Sequence, residues 1–286
     1  MEREIIGLYE DYRGGRMGRR DFLARLALLV GGTAAAAAIL PRLEAGQAAG
    51  TPFVPADDGR LETGYIKYPA PDGDMRAYSA RPKGGAKHPG VIVIHENRGL
   101  VPHIEDVARR VALEGYLAVA PDALSPFGGT PADPAEARPL FQKLDRQVNA
   151  KNFAAAVAYL KTNPQTTGKV ACMGFCWGGA VTNQVAVHAP DLAAAVPFYG
   201  SQPAPEDVPR IKAAVLAHYA ENDERINAGI PAFKEALEKA GVAHEFHMYP
   251  GTGHAFFNDT GTRYNKEAAE LAWKRTLAFF ETTLKS

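Results

Sequence analysis

The stretch Gly174-Phe175-Cys176-Trp177-Gly178-Gly179 follows an apolar run, Lys169-Val170-Ala171-Cys172-Met173, and precedes the helix-forming Ala180-Val181-Thr182-Asn183-Gln184-Val185. That order predicts a strand, a sharp turn and a helix. A G-x-S-x-G pattern in this context makes a strained elbow that presents its central side chain at the end of a sheet. Here the central residue is cysteine. Glycines are expected around it because neighbouring backbones pack so closely that a Cβ would clash. The elbow also aims the sulfur at a helix N-terminus, whose dipole favours thiolate. The plainer alternative is a buried strand-end cysteine beside a glycine-rich turn, and residues elsewhere in the chain decide between the two.

A nucleophile on such an elbow needs an acid and then a histidine downstream. Ala213-Ala214-Val215-Leu216-Ala217-His218-Tyr219-Ala220 reads as a buried strand running into Glu221-Asn222-Asp223. This places a carboxylate beyond a strand's carboxyl end, where open α/β sheets keep their chemistry. Glu245-Phe246-His247-Met248-Tyr249 reads as the next strand and empties into Pro250-Gly251-Thr252-Gly253-His254-Ala255-Phe256. His254 is therefore the expected base, oriented by Asp223. Upstream, Gly90-Val91-Ile92-Val93-Ile94 is a β-branched strand that ends in His95-Glu96-Asn97-Arg98-Gly99-Leu100. The N–H of Trp177, just after the nucleophile, and the N–H of Asn97 are the expected oxyanion donors.

These segments resemble the dienelactone hydrolase family, small α/β-hydrolases that open an enol-lactone ring with a Cys-His-Asp triad. The matching pieces are the elbow at Gly174 to Gly179, His95-Glu96, the Pro-Asp of Ala120-Pro121-Asp122, Asp223, and Gly251 to His254, spanning about Leu61 to the C-terminus. The resemblance implies hydrolysis of a small-molecule ester or lactone without a cofactor. It also gives Glu96 a catalytic role, because the matching glutamate of the family contacts the resting thiol and helps form thiolate when substrate arrives. The chain departs from the family where substrate is read. The best-known members hold a substrate carboxylate with arginines after the catalytic histidine and in the loop after the Pro-Asp strand. Here those places read Ala255-Phe256-Phe257-Asn258 and Ala123-Leu124-Ser125-Pro126-Phe127-Gly128-Gly129. Without a bidentate guanidinium the expected substrate is more neutral or apolar. Arg98 either replaces the missing charge or partners Glu96. Phe127, Tyr199, Phe256 and Trp177 are candidate pocket walls, although aromatics near strand ends also serve as plain core.

The remaining pattern predicts one α/β domain over residues 50–286, with a mostly parallel central sheet of about eight strands and helices on both faces. Tyr65 to Tyr68 and Met75 to Ala80 flank Pro71-Asp72-Gly73 as an edge hairpin. Helices are expected over Ile104 to Leu113, Ala135 to Leu160, Ala232 to Ala240 and Lys266 to Leu284, and strands over Leu117 to Ala120 and Ala193 to Phe198.

Residues 1–49 have a different character. Arg13, Arg16, Arg19 and Arg20 precede Phe22-Leu23-Ala24-Arg25-Leu26-Ala27-Leu28-Leu29-Val30 and an alanine run. Arg19-Arg20-Asp21-Phe22-Leu23 resembles a twin-arginine export signal, which implies passage through the twin-arginine machinery to the periplasm or beyond, with cleavage near Ala49. A single membrane anchor and an uncleaved cytoplasmic extension are the competing readings.

Composition excludes other classes. Lys plus Arg and Asp plus Glu both number 32, so no basic field recruits nucleic acid. Only Cys172 and Cys176 are present. On an extended strand four steps of about 3.3 Å hold them roughly 13 Å apart, beyond the ~7 Å limit of a disulfide, so Cys172 reads as packing. His244 and His247, three apart on a strand, face opposite ways and do not suggest zinc. A redox protein cycling Cys176 is the alternative from another class, yet no accessible second cysteine is present to resolve it. A non-catalytic binding module is the third reading, against which the complete acid–base set argues.

Overall fold

Val91 to Ile94, all buried, form the C-terminal half of β3 (His88–Ile94), which lies at the centre of an eight-stranded sheet. The computed structural model describes Ile5, Leu8, Tyr9, Tyr12 and residues 17–33, 35–36 and 52–285. By contacts the chain divides into two units: Met1–Pro52 with Asn258–Tyr264, and Phe53–Phe257 with Asn265–Ser286.

In the larger unit the strand order is β1-β2-β4-β3-β5-β6-β7-β8. β1 (Leu61–Ala70) and β2 (Gly73–Pro82) form the expected antiparallel edge hairpin, in register from Leu61↔Pro82 to Ala70↔Gly73. Its turn needs Gly73, whose φ is 103°. β2 pairs antiparallel with β4 (Leu117–Pro121). From β4 onward every pairing is parallel, through β3, β5 (Thr166–Phe175), β6 (Ala194–Phe198), β7 (Ala214–Asn222) and β8 (His244–Gly253).

Side-chain alternation divides the core between two faces. Ile92, Ile94, Leu117, Val119, Val170 and Cys172 share one cluster with Phe153, Val157 and Leu160 of α4 (Arg146–Thr162), Val181 and Val185 of α5 (Trp177–His188), and Phe233 and Leu237 of α7 (Ile230–Ala240). Their strand neighbours Val91, Val93, Ala118, Ala120, Ala171 and Met173 are equally buried and point the other way. That second face is covered by α2 (Pro102–Leu113), which packs on β2 and β4, and α8 (Lys266–Leu284), which packs on β5, β6 and β7. Burial on both faces explains why these strands are continuous apolar runs.

One helical expectation is corrected. The region from Ala135 to Leu160 is two helices, α3 (Pro134–Lys143) and α4, because Asp145 caps α4 by accepting the N–H groups of Gln147 and Val148. A short helix, α6 (Glu224–Asn227), follows β7.

In the smaller unit α1 (Arg19–Val30) carries Arg19 and Arg20 in its first turn and buries Phe22 and Leu26 against Tyr9 and Ala36. Phe22 stacks on Tyr12 at 4.6 Å. Among the described residues no helix is long and apolar enough to cross a membrane. Arg13, Arg16 and the expected cleavage position near Ala49 lie outside the described residues.

Candidate active site

β5 ends at Phe175 and α5 begins at Trp177, leaving Cys176 alone to reverse the chain with φ 57° and ψ −114°. Its N–H donates to the Phe198 carbonyl of β6 at 3.0 Å, and its own carbonyl accepts from Ala180 at 3.2 Å. The strain rests on the cysteine, since none of Gly174, Gly178 and Gly179 has a positive φ. Close approach is what requires these glycines. A Cβ on Gly174 would lie 2.3 Å from the Gly178 carbonyl oxygen, one on Gly178 2.4 Å from the His95 carbonyl oxygen, and one on Gly179 2.6 Å from that of Phe198. Cys176 is partly accessible, whereas Cys172 is buried beside the Thr182 hydroxyl, 3.6 Å away, and burial pushes its thiol up to about 12.

β7 delivers Asp223 to the N-cap position of α6, but its carboxylate makes no cap. Instead Oδ2 lies 2.5 Å from Nδ1 of His254. Cys176 is the other group that acts on this imidazole. Burial pulls His254 down from 6.5, but the hydrogen bonds to Asp223 and Cys176, together with their negative charge, lift it to about 9. The loop bearing His254 is pinned where it leaves β8: the Gly251 N–H donates to Oε2 of Glu221 at 2.8 Å, and the Thr252 hydroxyl donates to the Tyr249 carbonyl at 2.7 Å.

Three described residues other than glycine have positive φ, namely Cys176, Tyr199 (39°) and Ala255 (70°). All lie at this site, the usual place for stored backbone strain. Tyr199 follows β6 and sets its ring 5.1 Å from that of His254 and 5.4 Å from that of Phe256. Tyr199 and Phe256 are both fully buried. They back the imidazole and have no accessible surface to offer a substrate.

Among the remaining expected residues, Asn97 is exposed in a turn closed by the Gly99 N–H donating to the Glu96 carbonyl, and Glu96 and Arg98 are partly buried on either side of it. Phe127 is exposed on a 3₁₀ turn, Ser125–Phe127. Trp177 opens α5, where a backbone N–H has no partner within the helix. Its ring turns into the core against His95, Phe141 and Phe153.

Two sets of supporting residues carry little local signal in the sequence. Asp122, fully buried, accepts from the Leu124 N–H (3.0 Å) and from the N–H and hydroxyl of Thr130 (both 2.7 Å). The Thr130 hydroxyl in turn accepts the Leu100 N–H at 2.8 Å, and a Cβ on Gly99 would lie 2.1 Å from it. This network ties the loop after β4 to the loop after β3. His218, buried in β7, accepts the Tyr199 N–H on its carbonyl at 2.7 Å and lies 2.8 Å from the Tyr249 hydroxyl and 3.0 Å from that of Thr276.

Residues 75–284 match the Dienelactone hydrolase family. A protein of Saccharolobus solfataricus named "Putative carboxymethylenebutenolidase" is 34% identical over 256 residues, covering 77% of this chain and 98% of its own. One of the same name from Escherichia coli K12 is 34% identical over 245 residues, covering 80% and 90%. A crystal structure titled "Putative Dienelactone Hydrolase", from Klebsiella pneumoniae, superposes with a TM-score of 0.68 at 32% identity, covering 77% of this chain and 98% of that one.

Proposed function

Because this chain belongs to the dienelactone hydrolase family, we propose that it hydrolyses a carboxylic ester or lactone through an acyl-enzyme on Cys176. One observation carries the reading: Nδ1 of His254 lies 2.5 Å from Oδ2 of Asp223, and Cys176 joins Asp223 in lifting the imidazole to about 9. The sulfur attacks the carbonyl carbon, and the displaced electron pair settles on the carbonyl oxygen. Backbone N–H groups of Trp177 and Asn97 receive that charge, each donor being worth roughly 3–4 kcal/mol in other hydrolases. Collapse expels the alkoxide or enolate, which takes its proton from His254. Water then adds to the thioester, gives its proton to His254, and releases the acid as the sulfur is restored. Glu96, beside this loop, assists thiolate formation. Thiolate is both a strong nucleophile and a good leaving group, which suits activated enol or aryl esters and lactones better than amides.

The substrate is proposed to be neutral or apolar at its far end. Ala255 follows His254, and the exposed wall of the loop after β4 is Phe127, so the family's guanidinium clamp has no counterpart at either place. Arg98, partly buried beside Glu96, is the nearby cation of the β3 loop. The test is mass spectrometry of protein mixed with a panel of aryl esters and lactones. An acyl mass on the Cys176 peptide is expected, together with loss of turnover in Cys176→Ala and His254→Ala. Equal turnover by all three proteins would end the reading.

For the N-terminal segment we propose twin-arginine export to the periplasm, supported by Arg19-Arg20 ahead of the apolar residues of α1. Replacing both arginines by lysine should retain the protein in the cytoplasm on cell fractionation. Membrane retention or an unchanged distribution would favour the anchor or the cytoplasmic form.

A further inference from the structure

His95 is the first residue after β3 and is fully buried. Its Nδ1 lies 2.6 Å from the carbonyl oxygen of Glu96, and that pairing requires an N–H. Nε2 then keeps its lone pair and accepts the N–H of Ala123, 3.1 Å away in the loop after β4. Both nitrogens are thus used, and only this neutral tautomer satisfies both partners. Burial, which pushes the imidazole below 6.5 despite the nearby Asp122, favours the same form.

The ring has a third attachment. It lies nearly parallel to the indole of Trp177, with centroids 5.4 Å apart and 8° between the planes. Phe141 and Phe153 present their edges to His95 at 5.8 and 6.2 Å and to Trp177 at 5.0 and 6.0 Å. The His95 carbonyl oxygen meanwhile sits where a Cβ of Gly178 would be, 2.4 Å away, so β3 and the start of α5 are in direct contact. His95 therefore fastens three segments: the turn bearing Glu96 and Asn97, the loop after β4, and the first residue of α5.

We infer that His95 is a positioning residue that fixes the separation of the Asn97 and Trp177 backbone N–H groups, and hence the place where the developing oxyanion is received. The inference rests on the proposed hydrolysis and assigns His95 no contact with substrate. Oxyanion donors act only on the charge of the transition state, so misplacing them lowers kcat and leaves substrate affinity nearly unchanged. An error of about 1 Å in such a site is enough to cost on the order of a hundredfold.

The test uses His95→Gln and His95→Phe. Glutamine reaches the position of Nε2 and keeps an acceptor for Ala123, whereas phenylalanine keeps the ring and loses both hydrogen bonds. Trp177 and Trp273 are the two tryptophans of the chain, so a Trp273→Phe background makes emission report Trp177 alone. For His95→Phe the expectation is kcat down about thirtyfold to three-hundredfold with KM within about threefold. Alkylation of Cys176 by iodoacetamide should be unchanged, and His95→Gln should recover at least about a tenth of the wild-type kcat. Both variants should shift Trp177 emission and increase its quenching by acrylamide. Wild-type kcat in His95→Phe, better rescue by phenylalanine than by glutamine, an equal loss of alkylation rate, or failure of both variants to fold would each overturn the positioning role. Wild-type protein without turnover, but with the emission changes intact, would instead overturn the hydrolase reading and leave the clasp between loops standing.

Discussion

Nδ1 of His254 lies 2.5 Å from Oδ2 of Asp223, although Asp223 occupies a helix N-cap position where aspartate ordinarily turns back onto its own backbone. Its main-chain carbonyl stays with the helix, accepting from Ile226 and Asn227 at 3.0 and 2.9 Å. The carboxylate is left for the imidazole.

Asp223→Asn weakens the hydrogen bond and removes the charge by which Asp223, together with Cys176, lifts His254 to about 9 against burial. kcat is expected to fall by about 10²–10⁴ with little change in KM, as in other triads deprived of their acid. The alkaline limb of the kcat/KM profile, expected near pH 9 in the parent, should move to lower pH. A profile with an unmoved limb would separate Asp223 from the imidazole's titration.

Stability should be bounded on both sides by histidines of opposite behaviour. His254 is raised from 6.5 to about 9, so its contribution is complete below about 6.5 and is lost as pH rises through about 9. His218 is held well below 6.5, first by burial and then by the nearby His247 and Arg275. As pH falls below 6.5 the unfolded chain therefore takes up a proton that the folded core refuses. Each such group costs up to about 1.4 kcal/mol per pH unit. Melting temperature measured from pH 5 to 10.5 should peak near pH 6.5, falling on the acid side through His218 and from there to about pH 9 through His254, and His218→Gln should flatten the acid side.

Native protein treated with iodoacetamide should gain one label, on Cys176, and a second only in denaturant. Cys172 is fully buried and its thiol is pushed up to about 12, first by burial. Peptide mapping that finds Cys172 labelled at a comparable rate in native protein would contradict this packing.

Gly174→Ala forces a Cβ to within 2.3 Å of the Gly178 carbonyl oxygen and 2.6 Å of the Thr182 hydroxyl. Overpacking against backbone should cost about 2–3 kcal/mol or more, seen as a drop in Tm of roughly 5–10 °C. Gly64→Ala, on the edge strand with nothing within 4 Å, should be neutral or slightly stabilising. The pair separates crowding from the general effect of adding a methyl group.

Local pattern was enough to locate the strands, because burial of the central ones on both faces writes itself as continuous apolar runs, and Cys176, Asp223 and His254 lie just past the ends of β5, β7 and β8. The break between α3 and α4 was less visible, since helix-compatible residues such as Leu140, Gln142, Lys143, Leu144, Arg146 and Gln147 continue across it and the capping geometry of Asp145 marks the stop. The aromatic residues were harder still. Tyr199, Phe256 and the ring of Trp177 sit beside the chemistry in sequence, yet the first two are fully buried and the third packs on His95. Whether a ring at a strand end faces solvent or core depends on partners far along the chain. The same holds for the bonds from Asp122 to Thr130 and from Thr130 to Leu100, which join segments that no periodicity relates.

Cys176 bears its unusual torsion in the main chain, at φ 57°, and not in the group attached to it. An oxygen exchanged for the sulfur would inherit the same aim without rebuilding any loop, whereas a β-branched replacement would be refused by the backbone itself. The fold thus leaves the atom carried at this turn open to a one-residue change while keeping its direction fixed, so on the proposed mechanism the hardness of the nucleophile can be altered independently of where it points.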